Sequence, residues 1–518
     1  MSSNKIVVKN SIIGTVAQVC SMIIGFYSQR LFLRYLGLEI QGVNSVISDT
    51  LGFLSFAELG VGTAITYRLY KPLVQKDTRE LTALMQLYRF LYQIIGVVVF
   101  SIGLILMLFL PIFINDASSD MGFIRGAYTI QLFATASSYF FAYKRSLIFA
   151  DQKQFVCKIV DIGINIIFSI MRILSMWFYH DYYVYLVLQL FQSLTANIIL
   201  ANFCNKHYSF VKEKNRERFG DIKGIFKDTK DLLIGKIAGY VYSSTDNLVI
   251  STFSGIILAG GFSVYHYVTN AVKNLVSGMT DSITATIGNY IQEKDKEESY
   301  RMLRRYSFIR YVVANVAATG LCICTDAFVG FVYGKEFILS YTVLYLIVID
   351  IFIGIVYGPI AEFTTVLGYF SYEKYINVAG AIVNIGLSVL LVQFLGVEGV
   401  LIGTCVSQVF FWVSKSILLC RKYFQSIEKL KEMWRDYVGY VVVAIVQITL
   451  LHIIKQRFFP YWYTLTAFVT EGFISVGVSA VAISICYFWT DRYQYFIGIL
   501  KNIVCKVIKR RKVRYESK

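Results

Sequence analysis

Charge is scarce in this chain. Of its 518 residues, 16% are Asp, Glu, Lys or Arg, against about 25% in ordinary soluble domains, and 56% are hydrophobic. Proline is scarcer still, with four in the chain, so long helices can run with few breaks. The four histidines, His180, His207, His266 and His452, stand at spacings that form no paired metal-ligand motif. There is no Ser-centred nucleophile elbow and no Asp-x-Asp in a long loop, so a membrane hydrolase or glycosyltransferase is disfavoured. The nine cysteines fall mostly in apolar segments, and Cys322 and Cys324 are the one close pair. They read as small packing residues rather than a disulfide framework or metal site. No polar segment exceeds about 30 residues, so no soluble domain is expected. The first apolar run lacks a small-residue cleavage site and is followed by more, so it is expected to remain as the first membrane helix.

What is abundant is apolar sequence in blocks. Mean hydropathy is +0.58. About fourteen blocks of roughly 20 residues follow one another, each long enough to cross a bilayer as a helix. The dyad alternation of a transmembrane β-barrel is missing. The expected fold is therefore an all-α polytopic membrane protein. The net charge of +17 would point to nucleic acid in a soluble protein. Here about 37 of the 50 Lys and Arg fall in alternate polar segments and about 5 in the others, the positive-inside pattern. It puts both termini in the cytoplasm and removes nucleic acid as a partner. The basic run Lys509–Arg514 is expected at anionic headgroups.

The opening pair of helices is expected from Ser11 to Leu36 and from Gly42 to Ala64, joined by an outer loop at Gly37–Gln41. Six helices end near residue 205. The longest polar segment, 206–231, follows as a cytoplasmic linker. A second set of six spans 232–421, helices 13 and 14 lie in 422–490, and a basic tail occupies 491–518. Helix 9 is expected to start near Tyr306 after a charged loop, Gln292–Arg305, and helix 13 near Val438. Pro359 is expected to kink helix 10.

An internal repeat supports this plan. Ile12-Ile13-Gly14 returns as Leu233-Ile234-Gly235, and Gly42-Val43-Asn44-Ser45-Val46 as Gly261-Phe262-Ser263-Val264-Tyr265, an offset of 261 − 42 = 219. Ile159-Val160-Asp161-Ile162-Gly163 returns as Ile382-Val383-Asn384-Ile385-Gly386, an offset of 386 − 163 = 223. Six helices is an even number, so the repeats enter from the same side and are parallel, as in one class of transporter.

Charges inside apolar helices are costly and mark pathways or pairs. Arg30 and Arg34, four residues apart, share one face of helix 1. Asp49 and Glu58 lie in helix 2, Lys236 and Asp246 in helix 7, Lys273 and Asp281 in helix 8, and Asp350 in helix 10. Lys273 lies so far into its helix that it should face a carboxylate or a water-filled cavity. Asp161, Arg172, Asp326, Glu362 and Glu471 are also placed within spans, some as pairs that serve folding. Cations in a cavity suit a phosphate or diphosphate. Carboxylates there suit H⁺ or Na⁺, or pairing with those cations. Asn247, Asn270 and Gln18 suit a sugar or another helix equally.

With these features in place, the chain resembles the Wzx-type polysaccharide flippases of the multidrug/oligosaccharidyl-lipid/polysaccharide exporter superfamily, related to MurJ and MATE transporters. The residues that carry the resemblance are Gly25-Phe26 with Arg34-Tyr35-Leu36-Gly37, Phe56-Ala57-Glu58-x-Gly60-x-Gly62, and Leu395-Gly396-Val397-Glu398-Gly399-Val400-Leu401-Ile402-Gly403-Thr404. It implies two six-helix lobes plus two C-terminal helices, around a cavity lined mainly by helices 1, 2, 7 and 8. It also implies flipping of an undecaprenyl-diphosphate-linked oligosaccharide across a bacterial cytoplasmic membrane, with no catalytic residues, metal or cofactor. Polysaccharide polymerase or assembly proteins would be partners. Arg30, Arg34, Lys236 and Lys273 would hold the diphosphate, and Asp49, Glu58, Asp246 and Asp350 would couple or pair. One departure concerns lipid II flippases, which carry extra basic residues just before the position of Gln29. This chain has Tyr27 and Ser28 there, which favours a polysaccharide repeat unit over lipid II. A drug or cation antiporter of the same superfamily and a membrane polymerase or acyltransferase are the alternatives.

Overall fold

The computed structural model describes residues 3–54, 61–114, 116–151, 153–212, 234–235, 237–242, 244–458 and 463–516. The described chain is all-α: α1 Ser3–Leu54, α2 Val61–Gln75, α3 Thr78–Leu106, α4 Met121–Ala150, α5 Gln154–Phe178, α6 Tyr182–His207, α7 Asp246–Ser254 and α8 Ile256–Glu293. There follow α9 Lys296–Val332, α10 Tyr341–Val366, α11 Phe370–Leu395, α12 Val397–Leu419, α13 Ile427–Phe458, α14 Leu465–Tyr487 and α15 Asp491–Glu516. Among the described residues, nine helices are long and apolar enough to cross a membrane. Large apolar side chains stand exposed along them, such as Phe473 and Ile485 of α14, as lipid-facing surfaces require. The chain is a multi-pass membrane protein.

Two compact units are formed, Met1–Tyr265 with Ile385–Val400, and His266–Asn384 with Leu401–Lys518. In the first, α4 packs on α3 and α6, and α1 packs on α5. Its core joins Val43, Val46, Ile47 and Leu51 of α1 to Met85, Tyr88 and Tyr92 of α3 and to Tyr128, Leu132 and Leu147 of α4. In the second, α9 is central and packs on α10, α13 and α14. Of its apolar window 61% is buried, against 28% for α13 and 22% for α14, so those two lie at the unit's edge. Small polar residues join them: Thr319 of α9 meets Ser479 at 2.9 Å and Ser475 at 3.2 Å, and Asn315 donates to Gln447 of α13 at 2.6 Å. Without a hydrophobic effect between helices in lipid, such close, hydrogen-bonded contacts carry the association.

The structure corrects several boundaries. The expected loop Gly37–Gln41 is helical except at Gly37, where φ is 81° and ψ 178°. The charged stretch before Tyr306 is helix as well: Asp295 caps α9 by accepting from the Glu298 amide at 2.7 Å, and Glu297 and Glu298 occupy the first turn. α13 starts at Ile427 rather than Val438, and the basic tail is the helix α15. Apolar length marks where a helix lies in lipid, not where its hydrogen bonds stop.

Pro359 sits inside α10. It has no amide hydrogen to give the carbonyl of Ile355, four residues earlier. Arg310 of α9 fills the gap, donating from Nε to that carbonyl at 3.0 Å. Gly358 makes room, since a Cβ there would collide with the guanidinium. The same arginine pairs with Glu362 at 3.5 Å, and Glu362 accepts from Tyr306 Oη at 2.7 Å.

The repeat is visible within the first unit. Gly255, between α7 and α8, has φ 100° and ψ 156°, the same unusual backbone as Gly37, and 255 − 37 = 218. A Cβ on Gly42 would collide with the carbonyl oxygen of Ile256, and a Cβ on Gly260 with that of Leu38. These contacts exchange under the same shift, 260 − 42 = 218 and 256 − 38 = 218. The two helix starts therefore cross at glycine-only distance in a reciprocal way. The register pairs Gly42 with Gly260, one residue from the pairing read in the sequence.

Candidate functional site

In the first unit, polar side chains flank the crossing. Gln41 donates to Ser263 Oγ at 2.9 Å and accepts from Gln29 at 2.7 Å. Two turns further along α1, Asp49 accepts from Asn247 Nδ2 of α7 at 2.8 Å. Asn247, which the sequence left open between sugar and helix, thus holds a carboxylate. Asp246 opens α7 beside it, half-buried. Arg30 is half-buried and makes no ion pair among the described residues. Arg34 is exposed, with its guanidinium 5.8 Å from the Tyr35 ring. Glu58 and Lys236 lie outside the described residues, as does the side chain of Asp281.

At the Gly37 turn, beyond the apolar spans, Glu39 accepts from the Ser119 amide and hydroxyl, each at 2.8 Å, and from the Ser118 hydroxyl. Burial alone would push its carboxyl up, but these hydrogen bonds outweigh it and hold the group below the ordinary glutamate range. Asp116, from the same segment, accepts from the Ile256 amide at 3.1 Å and so caps α8.

In the second unit, Lys273 of α8 pairs with Asp350 of α10 at 3.2 Å. Gln408 of α12 donates to the other Asp350 oxygen at 3.0 Å. Lys273 retains 42% exposure and Asp350 14%. Asp350 is thus clamped from two sides, while the ammonium, with three donors, makes one such contact among the described residues and has two to spare for a further anion. His266 lies two turns before Lys273 on the same helix, within electrostatic reach of both partners. Sequence reasoning missed Gln408, because nothing in one helix says which neighbour it meets.

Several other intramembrane charges among the described residues form pairs inside each unit. Arg145 engages Asp161 through both oxygens, at 3.1 and 2.6 Å. Lys455 reaches Asp326 at 3.4 Å, and Lys415 reaches Glu373 at 3.0 Å, both pairs buried. Arg172 lies over the Tyr185 ring at 5.3 Å. Glu471 is buried, and neither of its carboxyl oxygens has a hydrogen-bond partner among the described residues. The first unit also holds a polar cavity of about 560 Å³ among α1, α4, α5 and α6, beside Arg145 and Asp161. Among the described residues no group of His, Cys, Asp and Glu forms a metal site.

No protein-family model and no curated protein sequence matches this chain. Solved structures do. Lipid II flippase MurJ, in an inward closed conformation, matches with TM-score 0.68 at 15% identity, over 92% of this chain and 99% of that one. An inward-facing multidrug resistance MATE family transporter of the MOP superfamily matches with TM-score 0.58 at 12% identity, over 81% of this chain and 99% of that one. An outward-facing MATE family transporter matches with TM-score 0.53 at 14% identity, over 82% and 96%. At these identities the likeness is one of architecture: the chain has the all-α polytopic fold that the MurJ flippase and the MATE transporters share.

Proposed function

We propose that this chain is a flippase that moves undecaprenyl-diphosphate-linked oligosaccharide repeat units across the bacterial cytoplasmic membrane, for capsule, exopolysaccharide or a related surface polymer. The observation that carries the reading is the match to a lipid II flippase over 92% of this chain, at a higher TM-score than the MATE transporters reach. The match also extends over 99% of that flippase's own chain. Tyr27 and Ser28 favour a substrate other than lipid II.

In this reading 1–205 and 232–421 are the two six-helix lobes, 206–231 the linker, 422–490 the added helices and 491–518 the basic tail. Both termini are cytoplasmic. The site works by alternating access, coupled to an ion gradient or to the membrane potential. Arg30, Arg34, Lys236 and Lys273 engage the diphosphate. Asp49, Glu58, Asp246 and Asp350 bind H⁺ or Na⁺, or hold the cations until substrate arrives. Lys273 supports this division, because it is half-exposed and has donors left after pairing with Asp350. The isoprenoid tail lies in an apolar groove beside α13. A cavity of about 320 Å³ lined by Val348, Ile349, Ile445 and Ile448 has the required character. Polysaccharide polymerase or assembly proteins receive the product. A drug or cation antiporter of the same fold is the second reading.

The test is made in a strain lacking the gene. A membrane-impermeant sugar-modifying reagent measures lipid-linked oligosaccharide on each leaflet. Accumulation on the inner leaflet, reversed by the intact gene, is expected. Normal outer-leaflet display with altered drug tolerance would replace the flippase with the antiporter.

A further inference from the structure

The polar cavity of the first unit has no place in the scheme above. None of its residues belongs to the set assigned to the diphosphate or to coupling. It measures about 560 Å³, within the range of small-molecule sites. Its wall includes Ser21 of α1, Asn165 of α5, and Gln189, Gln192, Ser193 and Asn197 of α6. That concentration of amides and hydroxyls inside apolar helices is costly unless something polar occupies the space.

The electrostatics of the wall narrow the occupant. Its one carboxylate, Asp161, is engaged through both oxygens by Arg145, at 3.1 and 2.6 Å, and Arg145 Nε donates to Asn197 at 3.2 Å. The charges cancel locally, so neither a cation nor a diphosphate has a free counter-charge to find. An isoprenoid chain would strand the amides. What remains is a neutral molecule that both donates and accepts hydrogen bonds. The wall is already ordered for one: Gln192 donates to Asn165 Oδ1 at 3.2 Å, which fixes both amides. Gln192 Oε1 and Ser21 Oγ are buried and have no partner among the described residues. A sugar hydroxyl supplies what each lacks.

We infer that this cavity is a carbohydrate subsite, which binds part of the glycan of the transported lipid through Asn165, Gln192, Asn197 and Ser21. This rests on the flippase reading and adds to it the place where sugar is recognised. The subsite distinguishes glycan-bearing lipid from bare lipid diphosphate, so unloaded carrier is held less tightly.

The experiment uses the full-length protein in lipid nanodiscs and two probes. One is undecaprenyl diphosphate. The other is the lipid-linked oligosaccharide extracted from cells that lack the gene. Affinities are measured by native mass spectrometry for the wild type, for Asn165→Ala with Gln192→Ala, and for Ser193→Phe, which fills the cavity. Melting curves report whether each variant folds. The wild type is expected to prefer the glycolipid at least tenfold, about 1.4 kcal/mol. Each folded variant should bring that ratio close to one while binding bare undecaprenyl diphosphate as the wild type does. A folded variant that keeps the preference overturns the subsite, as does a wild type that binds both probes equally; both leave the diphosphate reading standing. A wild type that binds neither probe overturns the subsite and the flippase reading together.

Discussion

Exchanging the charges of Lys273 and Asp350 separates two roles that the pair could play. Lys273→Met removes the ion pair and keeps the Gln408 hydrogen bond to Asp350. Breaking a fully buried pair costs about 3–5 kcal/mol, and an exposed pair is worth about 0–1 kcal/mol. With Lys273 42% exposed and Asp350 14%, screening places this pair low in the interval, at about 1–2 kcal/mol. The purified variant should melt about 1–2 °C lower, since unfolding entropy scales with chain length. The double variant Lys273→Asp with Asp350→Lys restores the attraction, and a positive coupling in the double-mutant cycle should recover most of the lost melting temperature. If Lys273 also binds substrate diphosphate, a lysine on α10 cannot replace it, and polymer export should stay lost although the protein is stable and present in the membrane. Export restored together with stability would refute the anion-binding role and reduce the pair to a helix clamp. Stability unchanged by Lys273→Met would refute the energetic argument.

Three other outcomes are expected. Arg310→Met removes the ion pair of Glu362 and the donor to the Ile355 carbonyl and should cost about 2–4 kcal/mol in a melting assay; adding Pro359→Ala returns an amide donor to that carbonyl and should recover part of the loss, whereas Pro359→Ala giving no recovery would show that the carbonyl is not what Arg310 serves. Gly42→Ala or Gly260→Ala puts a methyl group against a backbone carbonyl and should destabilise by about 1–3 kcal/mol; Gly163→Ala, with open space around its Cβ, is the control and should be neutral or stabilising by up to about 1 kcal/mol in the same assay. Glu39, held below its ordinary value of 4.5, contributes stability that is present above that pH and disappears as pH falls through the lower folded value. Limited proteolysis of the Gly37 turn should therefore accelerate in acid for the wild type, while Glu39→Gln should be cut at a nearly pH-independent rate; parallel pH profiles would remove Glu39 from the account.

Most of the fold was legible because lipid writes a strong signal. A helix must satisfy its own backbone in the bilayer, so apolar length alone predicts helices at Phe155–Phe178, Tyr183–Cys204, Tyr341–Leu367 and Leu465–Trp489, close to the observed α5, α6, α10 and α14. The same signal failed where helices leave the lipid. Residues 296–305 and α15 are helical although charged, and caps such as Asp295 decide those ends. The candidate site was half legible. Lys273 stood out as a charge that needed an answer, and Asp350 was named, but no pattern in one helix says that these two meet or that Gln408 closes the cluster. Nothing in the sequence marks Arg145 as the partner of Asp161. Its engagement of Asp161 and the amide cavity beside it depend on how four helices face one another.

The register of the repeat draws the same line. Gly260 and Gly261 are equivalent as letters, and matching residue types chose the second. The backbone chose the first, because only Gly260 meets the Leu38 carbonyl as Gly42 meets that of Ile256. By itself the sequence determined the class of protein, the spans and the residues whose charge had to be answered, since these follow from the cost of moving each group from water to lipid. Tertiary structure alone decided which charges answer one another and where polar space is left over, because helices of similar hydropathy can pack in many ways and only atomic fit chooses among them.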